Sequence, residues 1–173
     1  MPEQEPQEGV VTAHSSAEGV RIVRNFAAPI ETVFACWTEP EHFATWFGED
    51  GSSVPVDSVS MDLRPGGAWT ATMLVGPDQM ELVFSGSYVE IDPPRRLVQT
   101  LAAPNDPDNP DVEIMSAELA ELGDGMTQMT FSQTGGQLPA DEYSRALRGE
   151  LVFFDRLAEH LQELKARHDT DPL

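Results

Sequence analysis

The sequence predicts an α+β domain, in which an antiparallel sheet turns its apolar face toward one long C-terminal helix. Three observations lead there. Segments of period-two alternation recur through the middle of the chain, from about Val56 to Thr134, with turn residues between them. Two short helical patterns follow the first strand, and a single long helical stripe comes last. Antiparallel strands with segregated helices make this class rather than repeating α/β units.

The segment GVRIVRNFAAP (19–29) alternates and is rich in β-branched residues, so it reads as the first strand. Pro29 suits a first helical turn, and Val33, Phe34 and Trp37 recur at helical spacing until Pro40 interrupts. A second short helix carries Phe43, Trp46 and Phe47 and stops at Gly48. The stretch VDSVSMDL (56–63) alternates again, with Val59, Met61 and Leu63 on one face. Residues 64–101 read as three strands turning at GPD (76–78) and DPP (92–94). Trp69, Ala71, Met73 and Val75 share a face there, as do Met80, Leu82, Phe84, Gly86 and Tyr88.

APNDPDNPD (103–111) is too rich in Pro and Asp for a regular element. Residues 113–134 form a hairpin around Gly123, Asp124 and Gly125, whose second strand points Met129 and Phe131 one way and Gln128 and Thr130 the other. The final helix runs from about Pro139 to about Arg167, with Asp141 and Glu142 in its first turn and Lys165 and Arg167 in its last, as the helix dipole favours. The total is about seven strands. Residues 1–18, with four glutamates and no Lys or Arg, read as a disordered acidic tail, 19–167 as a single domain and 168–173 as a flexible end.

The formal charge is -20, which repels polyanions and argues against nucleic acid or an anionic membrane as partner. It suits a neutral or cationic ligand, or simply a well-solvated surface. No apolar run approaches the roughly 20 residues of a membrane span, and no secretory signal opens the chain. The lone cysteine, Cys36, cannot close an internal disulfide, which fits the cytoplasm. Whether the protein is a monomer or a homodimer is open from the sequence.

At about 100° per residue, Tyr143, Ala146, Leu147, Phe153, Phe154, Leu157, Leu161 and Leu164 gather on one side of the last helix, and Glu150 lies near the centre of that stripe. A buried carboxylate raises its pKa or finds a partner. Glu150 is therefore a candidate proton carrier or hydrogen-bond anchor, unless it tilts outward or pairs with Arg24 or Arg148. Around it stands a large aromatic inventory: Trp37, Trp46, Phe47, Trp69, Phe84, Tyr88, Phe131, Phe153 and Phe154, with Met61, Met73 and Met129 as adaptable fillers. Each packs a core equally well, but together with Leu157 they would line an apolar pocket with few polar fixtures.

Other chemistry finds little support. His14, His42, His160 and His168 have no metal-ligand spacing, so neither a metal nor another cofactor is expected. His42 reads as bonding locally, His160 as exposed and Cys36 as packed. Asp106, Asp108 and Asp111 lack the glycine and terminal glutamate of an EF-hand, RPGGAW is no phosphate cradle, and no G-x-S-x-G frame exists.

Several segments taken together carry a resemblance: FAAPIETVFACWTEPEHFATWFG, DLRPGGAW, FSGSYVEIDPPRRLV and TQMTFSQTG before the helix. From about Val20 to Leu161 the chain resembles the START-like helix-grip superfamily (SRPBCC), and within it the family of activator of heat-shock-protein ATPase homologues, which overlaps polyketide cyclase-like proteins. The resemblance implies a helix-grip fold of the START/Bet v type, a curved antiparallel sheet wrapped around the long C-terminal helix, with two short helices after the first strand. It also implies an elongated cavity between sheet and helix that accepts a small hydrophobic or aromatic molecule. Family members often carry Gly-Trp before Leu-Asp-Arg-Leu in that helix. Here Gly149, Asp155, Arg156 and Leu157 fit, while Glu150 replaces the Trp, which would enlarge the cavity and put a charge or proton in it.

The resemblance leaves four roles open: a ligand-binding protein, an antibiotic resistance or sequestering protein, a cyclase or aromatase using Glu150 with Tyr88 as second donor, and a stress-related co-chaperone. The last ranks lowest, because the chain lacks length for the separate N-terminal domain of eukaryotic activators.

Overall fold

A computed structural model describes residues 7–48, 51–136 and 138–170. Strands β1 (Gly9–Ser16) and β2 (Gly19–Phe26) form a hairpin, followed by helices α1 (Ile30–Thr38) and α2 (Pro40–Trp46). Pro29 accepts the first helical bonds, from the amides of Thr32 and Val33. Glu39 separates the two helices because the residue before a proline is pushed to extended backbone, here φ -111° and ψ 126°. Strands β3 (Ser52–Ser53), β4 (Ser60–Met61), β5 (Ala68–Val75), β6 (Met80–Asp92), β7 (Arg96–Leu101), β8 (Glu113–Gly123) and β9 (Met126–Gly135) lead to helix α3 (Ala140–Thr170).

The sheet is antiparallel in the order β1-β2-β9-β8-β7-β6-β5-β3, with β4 also on β5. The strand before the short helices thus lies beside the last strand, and bulges at Tyr88/Glu90 and Glu121/Gly123 add bend. Inner-face positions alternate as the pleat requires: Val20, Ile22, Arg24 and Phe26 on β2, Met129 and Phe131 on β9, Met115, Ala117 and Leu119 on β8, Trp69, Ala71 and Met73 on β5. Against this face α3 sets Tyr143, Phe153, Phe154, Leu157, Ala158 and Leu161, all buried. This is the expected helix-grip α+β arrangement, with nine strands rather than about seven.

Close approach at Gly86 is one reason β6 fits. A Cβ there would lie 1.9 Å from the Thr100 carbonyl oxygen and 2.7 Å from Trp69 Nε1. Without one, the Trp69 indole donates to the Thr100 carbonyl at 2.9 Å.

Three expectations need correction. Much of the expected tail is ordered: Gly9–Ser16 pairs with β2, and an edge strand exposed on both faces has the composition of a tail. Residues 1–6 lie outside the described residues. At the other end, α3 continues through the supposed flexible residues His168 and Asp169 to Thr170. Finally, Val56–Ser58 is a single 3₁₀ turn, not the start of a strand. The Ser58 hydroxyl donates to the Pro55 carbonyl at 2.7 Å and accepts the Thr72 amide at 3.1 Å, so a side chain replaces the ladder bond.

Candidate functional site

The inner face of the sheet carries a polar row inside an apolar surface. In register, Gln133 on β9 faces Met115 on β8, Met115 faces Gln99 on β7, and Gln99 faces Tyr88 on β6. Neighbours about 4.8 Å apart spread this row over about 14 Å. Gln133, Gln99 and Tyr88 are all buried. Gln133 Oε1, Gln99 Oε1 and the Tyr88 hydroxyl have no hydrogen-bond partner among the described residues. Burial pushes the Tyr88 phenol up, so it remains a neutral donor.

Beside Gln133 the row meets Glu113, which in turn stands in electrostatic range of Glu150. Glu113, one inward position along β8, is half-buried and accepts a hydrogen bond from Gln133 Nε2 at 2.9 Å. Burial raises its pKa, the Gln133 bond opposes that rise, and the charge of Glu142 adds to it. Glu150 is half-buried on α3. Its carboxyl is pushed up to about 8, first by burial and then by the charge of Glu113. Near neutrality Glu150 therefore holds its proton in most molecules, with a second carboxyl in electrostatic range. The Tyr143 hydroxyl fixes the start of α3 over this end of the sheet by donating to the Gly135 carbonyl.

Neither arginine expected to neutralise Glu150 is spent there. Arg24 Nη1 donates to Asp155 Oδ1 at 2.6 Å, and Arg148 Nη1 to the Ser144 hydroxyl at 3.2 Å. The Asp155-Arg156 pair of α3 instead ties elements together, since Arg156 reaches the Thr45 carbonyl at 3.4 Å. A Cβ on Gly48 would stand 2.7 Å from Ser52 Oγ and 3.0 Å from Arg156 Nη1.

The expected aromatic residues meet each other beyond the polar row. Trp37 packs edge-on to Trp46 at 4.9 Å, Phe131 on Phe154 at 5.0 Å, and Phe47 touches both Phe84, at 5.3 Å, and Phe153, at 5.2 Å. Trp69 lies 6.4 Å from Phe47, and Met73, Met129 and Leu157 are buried in the same core. Of the expected residues, only Tyr88 and Glu150 belong to the polar group. A cleft of about 310 Å³ lies elsewhere, between Asp92, Arg95, Arg96, Glu118 and Gln128, and is lined by none of them.

Glu113, Gln99 and Gln133 were missed. The signal was parity: each is a polar residue in phase with apolar neighbours, Gln99 between Leu97 and Leu101, Gln133 after Met129 and Phe131, Glu113 before Met115 and Ala117.

The histidine expectations also fail. His160 is 7% exposed rather than solvated, and His42 Nδ1 bonds His160 Nε2 at 2.9 Å across 118 positions instead of locally. Packing of α2 beside α3 buries His160 against His42. Cys36 is fully buried, as expected, and burial with the nearby charge of Glu39 pushes its thiol up to about 12.

With this geometry in place, comparison identifies the relatives. Residues 27–165 match the family model of Activator of Hsp90 ATPase homolog 1-like protein. The chain belongs to that family. Similar solved structures include a Chromobacterium violaceum protein (24% identity, 84% of this chain and 98% of that one, TM-score 0.70). Others are an Arthrobacter aurescens protein (21%, 89% and 92%, TM-score 0.74) and an AHSA1 protein of Silicibacter pomeroyi (23%, 86% and 98%, TM-score 0.70). At these identities they establish the shared helix-grip fold alone. A comparison with curated proteins gives no match. Among the described residues, no helix of this family member is long and apolar enough to cross a membrane.

Proposed function

We propose that this protein binds a small organic molecule with an apolar, often aromatic, body and an amine or other hydrogen-bond-donating group, between the inner sheet face and α3. The observation that carries the reading is the row of unsatisfied acceptors running from Gln99 to Gln133, which bonds Glu113, the carboxyl in electrostatic range of Glu150. Buried polar atoms need partners, from water in the free protein or from a ligand in the complex. Gln99 Oε1 and Gln133 Oε1 lack one among the described residues, and Gln133 bonds Glu113, one of two coupled carboxyls with raised pKa. An incoming ammonium satisfies the amide oxygens and stabilises the ionised form of Glu150. A ligand carboxylate would add a third negative group to Glu113 and Glu150. The net charge of -20 favours the same choice. The aromatic cluster supplies a rigid apolar wall.

Binding phenylbutylamine, phenylbutanol and phenylbutanoate to the full chain tests this, read by calorimetry and by amide chemical shifts. The amine is expected to bind tightest and the carboxylate weakest, with shifts concentrated at Gln99, Glu113 and Gln133. Equal affinities, or shifts confined to the outer cleft near Arg96, would overturn it.

A cyclase-type role shares the same carboxyl, because a group with pKa about 8 both gives and takes protons near neutrality. Glu150→Gln separates the two readings: a binding protein loses affinity for the amine, whereas an enzyme loses turnover while retaining its substrate.

A further inference from the structure

A second cluster lies where the three helices meet. Cys36 comes from α1, His42 from α2 and His160 from α3. One ligand atom from each lies within 4.8 Å of the others. We propose that Cys36, His42 and His160 bind one zinc(II) ion, with water in the fourth position on the half-buried His42 side.

The distances suit it. Tetrahedral zinc with ordinary bond lengths needs about 3.3 Å between two nitrogens and about 3.6 Å between sulfur and nitrogen. The two imidazoles already stand at 2.9 Å, so metal entry separates them slightly and draws the sulfur inward.

Charge points the same way. The Glu39 carboxylate near Cys36 favours a dication there, as does Glu163 near His160, while Arg167 on the same side opposes it. Cys36 is fully buried, so a metal there is shielded from water on the sulfur side. Binding converts the thiol to thiolate, releases its proton to solvent and leaves both imidazoles neutral. The missing sequence signal follows from topology, because the third ligand arrives 118 positions after His42.

The test is cobalt(II) and zinc(II) titration of the metal-free full chain at about pH 8, above the range of an ordinary imidazole. Expected are one ion per chain, tetrahedral visible bands, a thiolate-to-cobalt charge-transfer band, displacement by zinc, and one proton released per zinc. Cys36→Ser should abolish the charge-transfer band. His42→Ala, at a half-buried position, should weaken zinc at least about tenfold. Should Cys36→Ser not fold, the wild-type proton count and the His42→Ala affinity decide alone. An octahedral cobalt spectrum, no proton release, or zinc affinity unchanged in His42→Ala would overturn the site.

Discussion

Helix α3 passes over two regions that treat buried groups in opposite ways. Around Phe153 and Phe154 the rings interlock, and two of the three indoles there are satisfied, Trp46 by the Cys36 carbonyl at 2.8 Å and Trp69 by Thr100. One turn earlier, Glu150 faces another carboxyl, and the adjoining sheet row leaves two amide oxygens and a phenol without partners. The first region has what a stable core requires, dense packing and, but for the Trp37 indole, paired polar atoms. The second leaves buried acceptors and a phenol unpaired, which costs stability. Function is therefore to be sought where the fold is least satisfied, not where its large side chains are densest.

The largest effect that can break this contrast is in the aromatic region. Phe154 is fully buried between Trp37, Trp46 and Phe131. Phe154→Ala is expected to cost about 3–5 kcal/mol, read from the denaturant midpoint at unchanged slope. A loss under about 1 kcal/mol would mean that this end is loosely packed and that the two regions do not differ.

Glu150→Gln comes next and has the opposite sign. In the unfolded chain Glu150 loses its proton near its ordinary value of 4.5, while the folded protein holds it up to about 8. Between these values the folded state binds more protons, so stability falls as pH rises and levels off above about 8. Glu113, also raised, adds a contribution of the same sign. The variant should flatten much of this slope and be more stable than wild type at high pH, on the order of 1–2 kcal/mol. Melting temperatures across that window check it, and parallel curves for the two proteins would refute the buried proton. An amine ligand reverses the dependence, since it binds best once Glu150 ionises.

How far such a contrast can be read from sequence depends on how many elements each residue needs. Phe34 and Trp37, or Trp69 and Met73, declare their faces within a single element, so the sheet, both short helices and the long one were legible from periodicity. Glu150 was legible for the same reason, as an acid on an apolar stripe. The polar row was not, because it runs across the strands and exists only once β9, β8, β7 and β6 are in register. His160 was misjudged because its burial comes from α2, which no helical wheel of α3 contains. Strand β1 was hidden because its stability comes from hydrogen bonds to β2 rather than from burial of its own side chains.

Between the two regions the helix is fastened by Arg24 and Asp155. The guanidinium is 8% exposed and the carboxylate 66%, so water screens the pair on one side. Asp155→Ala is expected to cost about 1 kcal/mol, more than a fully exposed pair, because it leaves the Arg24 cation buried with Nε already lacking a partner among the described residues. Replacing both, Arg24→Met with Asp155→Ala, should recover most of the loss. A double-mutant cycle of thermal melts measures that coupling.

The smallest effect probes the polar row most directly. Tyr88→Phe removes one hydroxyl and leaves the ring where it is. In a satisfied core such a change loses a hydrogen bond and costs about 1 kcal/mol. Here the hydroxyl is buried without a partner among the described residues, so its removal relieves a desolvation penalty. The variant should match wild type or gain up to about 1 kcal/mol while losing affinity for a ligand that uses the phenol. A clear loss of stability in the free protein would mean that ordered water already completes the row at Tyr88. The unsatisfied group would then shrink to Gln99, Gln133 and the two acids. Stability and affinity moving in opposite directions is the pattern that distinguishes a binding surface from a packing flaw.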